Sequence, residues 1–191
     1  MLMERLFSSG MMTMGPSKAD PARQVGVFTE KAIHSIAGVK AKEIELFRWI
    51  VGEWSYDNAV PATRVSPAYT DSGKQRFTIT EPDGWVCSVS PNGEKHPMIT
   101  IDAFSRQWIY LLTRGSYGML RSKEGWMGNR ISFVGAMTMI GIDCEWRMTW
   151  IKSSDDEFKF VNEERLPGSN VEIEDGSWSY IDEWRFRRID A

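Results

Sequence analysis

The sequence predicts a mainly β protein: a single antiparallel up-and-down barrel of about nine or ten strands, preceded by a helical segment. From Trp54 onward, apolar and polar residues alternate with a period of two, as in half-buried strands. Turn-forming clusters separate these runs at short intervals, as in DSG at 71–73, PNG at 91–93 and SSDD at 153–156. No connection has the length of a crossover helix. We therefore expect an antiparallel sheet, and the consecutive hairpins favour a barrel over a Greek-key sandwich.

Composition sets the broad class. A chain of 191 residues with a net charge of −3 suggests one domain and gives no reason to expect a nucleic-acid partner. No run approaches the roughly 18–20 apolar residues of a transmembrane helix, and the first residues do not resemble an export signal. We expect no membrane partner. Only Cys87 and Cys144 are cysteines, which fits a reducing compartment, so the predicted location is cytoplasmic. Nine Trp residues suit a large core or a cavity for flat apolar ligands.

Three segments are expected along the chain. Residues 1–25, with Pro16 and Pro21, predict a flexible N-terminal arm. Residues 26–51 have a helical pattern, and residues 52–191 form the barrel. The helical segment carries an apolar stripe of Ile44, Phe47 and Ile50. This stripe predicts a lid packed on one barrel end, with a homodimer contact as the alternative.

The last three predicted strands place an aromatic lining inside the barrel, with polar residues among it. Strand alternation assigns the inward faces because successive side chains point to opposite sides of a sheet. The strand at 142–150 turns Cys144, Trp146, Met148 and Trp150 inward; the strand at 156–165 turns Phe158, Phe160, Asn162 and Glu164 inward; the closing strand turns Trp178, Tyr180, Asp182, Trp184 and Phe186 inward.

These polar exceptions are the candidate chemical groups. A buried carboxylate without a cation has a raised pKa and can act as a general acid or base, which makes Asp182 and Glu164 candidate catalytic residues. Tyr180 could donate to a developing oxyanion. The alternative is that these groups form structural hydrogen bonds only. The candidate ligand-binding residues are Trp146, Met148, Trp150, Phe158, Phe160, Asn162, Trp178, Trp184, Tyr110 and the rim residue His96.

Metal and cofactor sites are not predicted. The chain has two histidines and no Cys/His cluster, so it lacks an ordinary ligand set for zinc. No P-loop or dinucleotide fingerprint occurs in a strand–turn–helix setting. We therefore expect no metal and no cofactor.

One motif carries a family resemblance. VGEW at 51–54 follows a helix and opens the first strand, and it resembles the Gly-x-Trp signature of lipocalins and the wider calycin barrels. EWRMTW at 145–150 and an Arg-rich closing strand are similar to a family of bacterial calycin-like proteins. The resemblance implies a fold and leaves function open. It also implies that an arginine of the last strand, Arg185, Arg187 or Arg188, stacks on Trp54.

Three functional interpretations remain at this point. The barrel binds a small apolar or aromatic molecule as a carrier or sensor. Alternatively, it is a cofactor-free lyase, isomerase or cyclase that uses Asp182, Glu164 or Tyr180. In the third, the barrel is filled by side chains and has a structural or assembly role. Enzymatic activity is therefore left uncertain.

Overall fold

The computed structural model describes residues 38–62, 67–81, 84–113, 116–139, 141–165 and 178–189. Residues 38–44 are α-helical, and a 3-10 helix follows at Glu45–Ile50. Eleven strands follow among the described residues: β1 Gly52–Val60, β2 Tyr69–Thr80, β3 Trp85–Val89, β4 Lys95–Asp102, β5 Gln107–Leu112, β6 Ser116–Ser122, β7 Trp126–Met127, β8 Arg130–Met139, β9 Ile142–Lys152, β10 Glu157–Arg165 and β11 Ser179–Arg188. The predicted arm at 1–25 lies outside the described residues.

The strands form a closed antiparallel barrel. Ten of them pair in the order β6-β5-β4-β3-β2-β1-β11-β10-β9-β8, and β6 pairs with β8 to close the ring. The short strand β7 is an addition that pairs only with β8 within the described chain. The sequence prediction of an up-and-down barrel with a preceding helical segment is confirmed. We call the end where β1 begins and β11 finishes the closed end, and the opposite end the far end.

The 3-10 helix is the lid of the closed end. Ile44, Phe47 and Ile50 are all buried, as the apolar stripe predicted. The Phe47 ring lies 5.0 Å from the ring of Trp108 and 5.1 Å from that of Trp126. The stripe therefore packs into the barrel of its own chain, which confirms the lid.

The Gly-x-Trp motif closes the seam between β1 and β11. Trp54 is fully buried, its indole N–H donates to Ile50 O at 2.7 Å, and the Arg188 guanidinium lies 4.3 Å from its ring. Arg188 is thus the closing arginine. Gly52 has φ +134°, and a Cβ there would lie 2.8 Å from Arg188 Nη1. Any side chain at position 52 would therefore displace the guanidinium and strain the backbone.

Arg188 ties together three segments beside this ring. Its guanidinium donates to Trp49 O at 2.6 Å, to Val51 O at 3.1 Å and to Asp155 O at 2.9 Å. Its Nε donates to Asp156 Oδ1 at 3.0 Å. One side chain thereby joins the helix end, the start of β1 and the turn between β9 and β10.

Stacked aromatic rings fill the closed half of the interior. Phe158 stacks on Phe186 at 4.4 Å and on Trp150 at 5.4 Å, and Trp150 stacks in turn on Phe160 at 5.4 Å. Trp150 and Phe158 are fully buried. This half of the interior is therefore filled by the protein's own side chains.

The DSG cluster at 71–73 is not a turn. It lies inside β2, where Gly73 pairs with Tyr56 of β1. A Cβ on Gly73 would lie 2.8 Å from the Tyr56 hydroxyl oxygen. The glycine is needed because a tyrosine ring crosses the strand there, and the chain does not reverse.

Candidate functional site

Hydrogen-bonded polar side chains occupy the interior on the far-end side of the aromatic stack. Trp146 Nε1 donates to Asn162 Oδ1 at 3.1 Å, and Asn162 Nδ2 donates to Asp182 Oδ1 at 2.7 Å. Trp184 Nε1 donates to the other Asp182 oxygen at 3.2 Å. Three strands position this network, since Asn162 of β10 pairs with Met148 of β9 and with Asp182 of β11. We call this region the polar half of the barrel.

The direction of every bond in the network is fixed by chemistry. An indole N–H can only donate, so Asn162 must turn its oxygen toward Trp146 and its NH₂ toward Asp182. The Trp184 indole also donates to Asp182. Both carboxylate oxygens therefore act as acceptors, which is the role of the ionised form.

Asn58 completes the polar half from β1. It pairs with Trp184 in the β1–β11 register and is only 4% exposed. Its side chain lies close enough to the Asp182 carboxyl group to lower the pKa of that group. Its Oδ1 atom is buried and has no hydrogen-bond donor among the described residues. Such an unpaired buried acceptor costs about 1–3 kcal/mol, so it calls for a partner.

Burial dominates the electrostatics of Asp182. The pKa of its carboxyl group is raised because burial disfavours the charged form. Hydrogen bonds from Asn162, Trp184 and Asn58 act in the opposite direction and offset part of that rise. Among the described residues, no arginine or lysine contributes to this balance. Asp182 is a carboxylate held by neutral donors.

Aromatic rings form the wall beside these polar groups. The Trp184 ring stacks on Phe160 at 5.5 Å, with 23° between the planes. The Tyr56 ring lies 5.0 Å from Trp184 on the other side. The Tyr56 hydroxyl points toward Asp71 Oδ2, 3.5 Å away. The wall is thus a half-buried row of rings with hydrogen-bonding atoms along one edge.

The predicted ligand-binding residues fall into two groups by depth. Trp150, Phe158 and Tyr110 lie in the packed aromatic core, where Tyr110 contacts Phe133 at 5.5 Å and Trp150 at 6.2 Å. Burial raises the pKa of the Tyr110 hydroxyl. The residues that contact or border the polar half are Trp146, Met148, Phe160, Asn162 and Trp184.

Glu164 stands farther toward the far end on the same face of β10. It pairs with Trp146 of β9 and with Ser179 of β11, and it is half-buried. Its charge helps to raise the pKa of Cys144, after the larger effect of burial. Cys144 and Cys87 are both buried, free thiols.

Two predicted inward residues, Tyr180 and Trp178, lie outside. A register shift between Asn162 and Glu163 pairs Tyr180 with Glu163, whose carboxylate binds Arg147 on the outer face. Tyr180 is accordingly 50% exposed. The sequence interpretation was wrong here because the bulge adds one residue, and one residue exchanges the two faces of a strand.

Trp178 packs against cations of the outer surface. The Arg147 guanidinium lies 4.8 Å from its ring centre, and that of Arg165 lies 5.2 Å away. Both arginines are held by carboxylates, Glu163 and Glu145 respectively. Trp178 therefore covers an ion-pair cluster and is not part of the interior lining.

His96 occupies the rim position that the sequence suggested. It pairs with Ser88 in the β3–β4 register, close to the turn that joins these strands. Its buried Nε2 has no hydrogen-bond partner among the described residues and lies 4.0 Å from Glu94 Oε2. It does not contact the Asp182 network through any described hydrogen bond.

Two residues of the site were missed from sequence. Tyr56 and Asn58 follow Trp54 at intervals of two in β1, so they share its inward face. Extending that alternation from Trp54 would have found both.

An open depression of about 400 Å³ lies on the far-end edge of the barrel, lined by residues that include Val60, Tyr69 and Tyr180.

The described parts of the chain hold neither a metal-ligand cluster nor a membrane-spanning helix. There, no group of three or more His, Cys, Asp or Glu side chains could hold a metal ion. No helix within the described ranges is long and apolar enough to cross a membrane.

Comparison with known proteins gives only distant likenesses. No protein-family model matches the chain, and no curated protein has a significantly similar sequence. The structure of Rv2717c from M. tuberculosis has a TM-score of 0.43 and 9% identity, covering 77% of this chain and 97% of that one. EF1p2_mFAP2b bound to DFHBI has a TM-score of 0.35 and 10% identity, covering 76% and 98%. A redesigned beta barrel has a TM-score of 0.35 and 11% identity, covering 75% and 94%. At these low scores the likenesses support no conclusion about function.

Proposed function

We propose that the barrel binds a small apolar or aromatic molecule in its polar half, where the ligand lies against Trp184 and Tyr56 and hydrogen-bonds to Asn58. The observation that carries the proposal is the buried Asn58 Oδ1, which has no donor among the described residues. It lies beside aromatic faces, and ligand sites combine an apolar wall with a few placed polar groups in this way.

The division of the interior supports this placement. The closed half is packed with rings and sealed by the 3-10 helix, so a ligand has no room there. The polar half holds half-buried rings and hydrogen-bonding groups instead. An unpaired buried acceptor destabilises the fold, and in the polar half a ligand can supply the missing donor.

Native mass spectrometry of protein purified from its own cells tests the proposal. We expect an additional mass of a bound small molecule on the wild type. The two tryptophans that lie on opposite faces of the sheet provide a matched pair of variants. Trp184→Ala should lose the bound molecule because it removes the interior wall, and Trp178→Ala should retain it because that indole lies outside.

The results that count against ligand binding are equally definite. A wild type that carries no added mass after gentle purification contradicts the proposal and favours the filled-barrel interpretation. Equal loss in both tryptophan variants contradicts the placement in the polar half.

A second candidate function is acid–base catalysis by Asp182, favoured by the rise that burial produces in its pKa. Glu164 faces the same interior, but Tyr180 cannot join it from the outer face. If Asp182 is catalytic, the molecule bound by the wild-type protein is converted during incubation, and Asp182→Asn leaves it unconverted. Equal conversion by both proteins would exclude Asp182 as the catalytic group.

A further inference from the structure

The inner wall of the polar half is acidic. Asp182 and Glu164 project from neighbouring strands, and Asp71 of β2 pairs with Asn58 on the same face. The register places the Lys and Arg residues of the described strands on the outer face, apart from Arg188 and Lys152, which both lie at the closed end. Toward the far end, the one inward base of the described strands is His96, near Glu94 at the rim.

The hydrogen bonds of this wall use its indole donors and leave a buried acceptor over. The indole N–H groups of Trp146 and Trp184 and one N–H of the Asn162 amide are engaged within the network. The Oδ1 of Asn58, which is 4% exposed, accepts from none of the described residues. A ligand that satisfies this acceptor must therefore bring a donor.

The neighbouring rings add a preference for positive charge. The faces of Tyr56 and Trp184 carry the negative part of the ring quadrupole, and both rings border Asp182 or Asn58. A cation held near aromatic faces and a carboxylate is stabilised by both.

We infer that the ligand is an organic cation, a flat aromatic molecule with an ammonium or another protonated nitrogen that donates to Asp182 and Asn58. This inference rests on the proposed function. To that proposal it adds the charge of the ligand and the two residues that recognise it, Asp182 and Asn58. A neutral alcohol could satisfy Asn58 alone, whereas a carboxylate ligand would be repelled by Asp182 and Glu164.

Two trios of probes with matched size test the charge preference. The larger trio is 2-naphthylmethylammonium, 2-naphthylmethanol and 2-naphthoate; the smaller is benzylammonium, benzyl alcohol and benzoate. Binding is followed at pH 7 by the indole N–H signals of protein labelled with ¹⁵N-tryptophan. Trp184 and Trp146 report on the polar half, and Trp54 reports on the closed end.

The ammonium probe should bind at least tenfold more tightly than the alcohol, a difference of about 1.4 kcal/mol, and the carboxylate should bind most weakly. The ammonium probe should shift the Trp184 indole signal and leave the Trp54 signal in place. Asp182→Asn should reduce the affinity for the ammonium to that for the alcohol. Neighbouring carboxylates on opposite faces form the matched control: Glu164→Gln should weaken ammonium binding, and Glu163→Gln should not.

The outcomes separate the two proposals. Equal affinity for the ammonium and the alcohol at Trp184 overturns the charge inference and leaves ligand binding intact. Tightest binding of the carboxylate, or an ammonium preference that survives in Asp182→Asn, also overturns it. If Asp182→Asn does not fold, equal effects of Glu164→Gln and Glu163→Gln overturn it. If no probe of either trio shifts Trp184 or Trp146, the proposed function fails together with the inference.

Discussion

Replacement of Arg188 by methionine tests whether the seam between β1 and β11 depends on this one guanidinium. Arg188 stacks on Trp54 at 4.3 Å and donates to Trp49 O at 2.6 Å and Val51 O at 3.1 Å. Its side chain is 27% exposed, so most of these contacts are shielded from water. Methionine preserves the apolar stem and removes every donor.

The size of the effect can be worked out contact by contact. Each half-buried carbonyl left without its donor costs about 1–3 kcal/mol. The lost cation–π contact costs about 0.5–2 kcal/mol. The ion pair with the exposed Asp156 adds at most about 1 kcal/mol. Because water replaces part of what is lost, we expect Arg188→Met to lower the free energy of unfolding by about 3–5 kcal/mol.

Urea unfolding followed by tryptophan fluorescence measures this loss. The neighbouring Arg187 provides the matched control, since its side chain is 59% exposed and pairs with Asp57 at 3.4 Å on the outer face. Arg187→Met should cost less than about 1 kcal/mol. Arg188→Lys should recover little of the loss because an ammonium cannot serve several acceptors in one plane. Equal destabilisation by Arg188→Met and Arg187→Met would refute the proposed role of the seam arginine.

Two further predictions concern backbone space and pH. Gly52→Ala should destabilise by about 2 kcal/mol or more in urea unfolding, because the new side chain meets both the positive φ and the 2.8 Å contact with a guanidinium nitrogen. Gly93 also has a positive φ, +86°, but open space around the added Cβ, so Gly93→Ala should cost about 1 kcal/mol. Asp182 has a folded-state pKa raised by burial, so its contribution to stability is full below about pH 3.9 and is lost as pH rises through the folded-state pKa. Thermal unfolding across this pH range should show the melting temperature of Asp182→Asn rising relative to that of the wild type as pH rises. Asp102→Asn should show the opposite trend, because a hydrogen bond from the Ser105 hydroxyl lowers the pKa of Asp102; the same trend in both variants would contradict the assignment.

The barrel and its closed end could be predicted because their signals are local. A period of two marks each strand, and the sequence around Trp54 marks the entry into the first one. The lid followed from three apolar residues at helical spacing. The particular arginine remained open among three candidates, since only the β1–β11 register places Arg188 opposite Trp54.

The site was predicted only in part because alternation gives the face of a residue and not its depth. Asp182 and Asn162 are inward as expected. Trp150 and Phe158 are inward too, but they belong to the packed half. Depth along the barrel axis depends on strand stagger, which no single strand encodes.

The bulge beside Glu163 could not be predicted from the sequence for another reason. A bulge adds a residue relative to a partner strand, so it is a property of the pair. No glycine in the described parts of β10 or β11 signals it. Trp178 and Tyr180 were placed inside because the alternation was carried past that point. The homodimer contact, the cytoplasmic location and the identity of the ligand stay predictions.

The seam also determines when the barrel can form during synthesis. Arg188 binds the carbonyl of Val51, a residue 137 positions earlier in the chain, and β11 supplies the pairing edge for both β1 and β10. Contacts over such separations form slowly because a long loop must close first. Until Ser179–Arg188 leaves the ribosome, β1 and β10 present unpaired edges, which are prone to aggregate. The nascent protein therefore depends on β11 for protection, and a pause in translation before β11 would prolong the exposure of both edges.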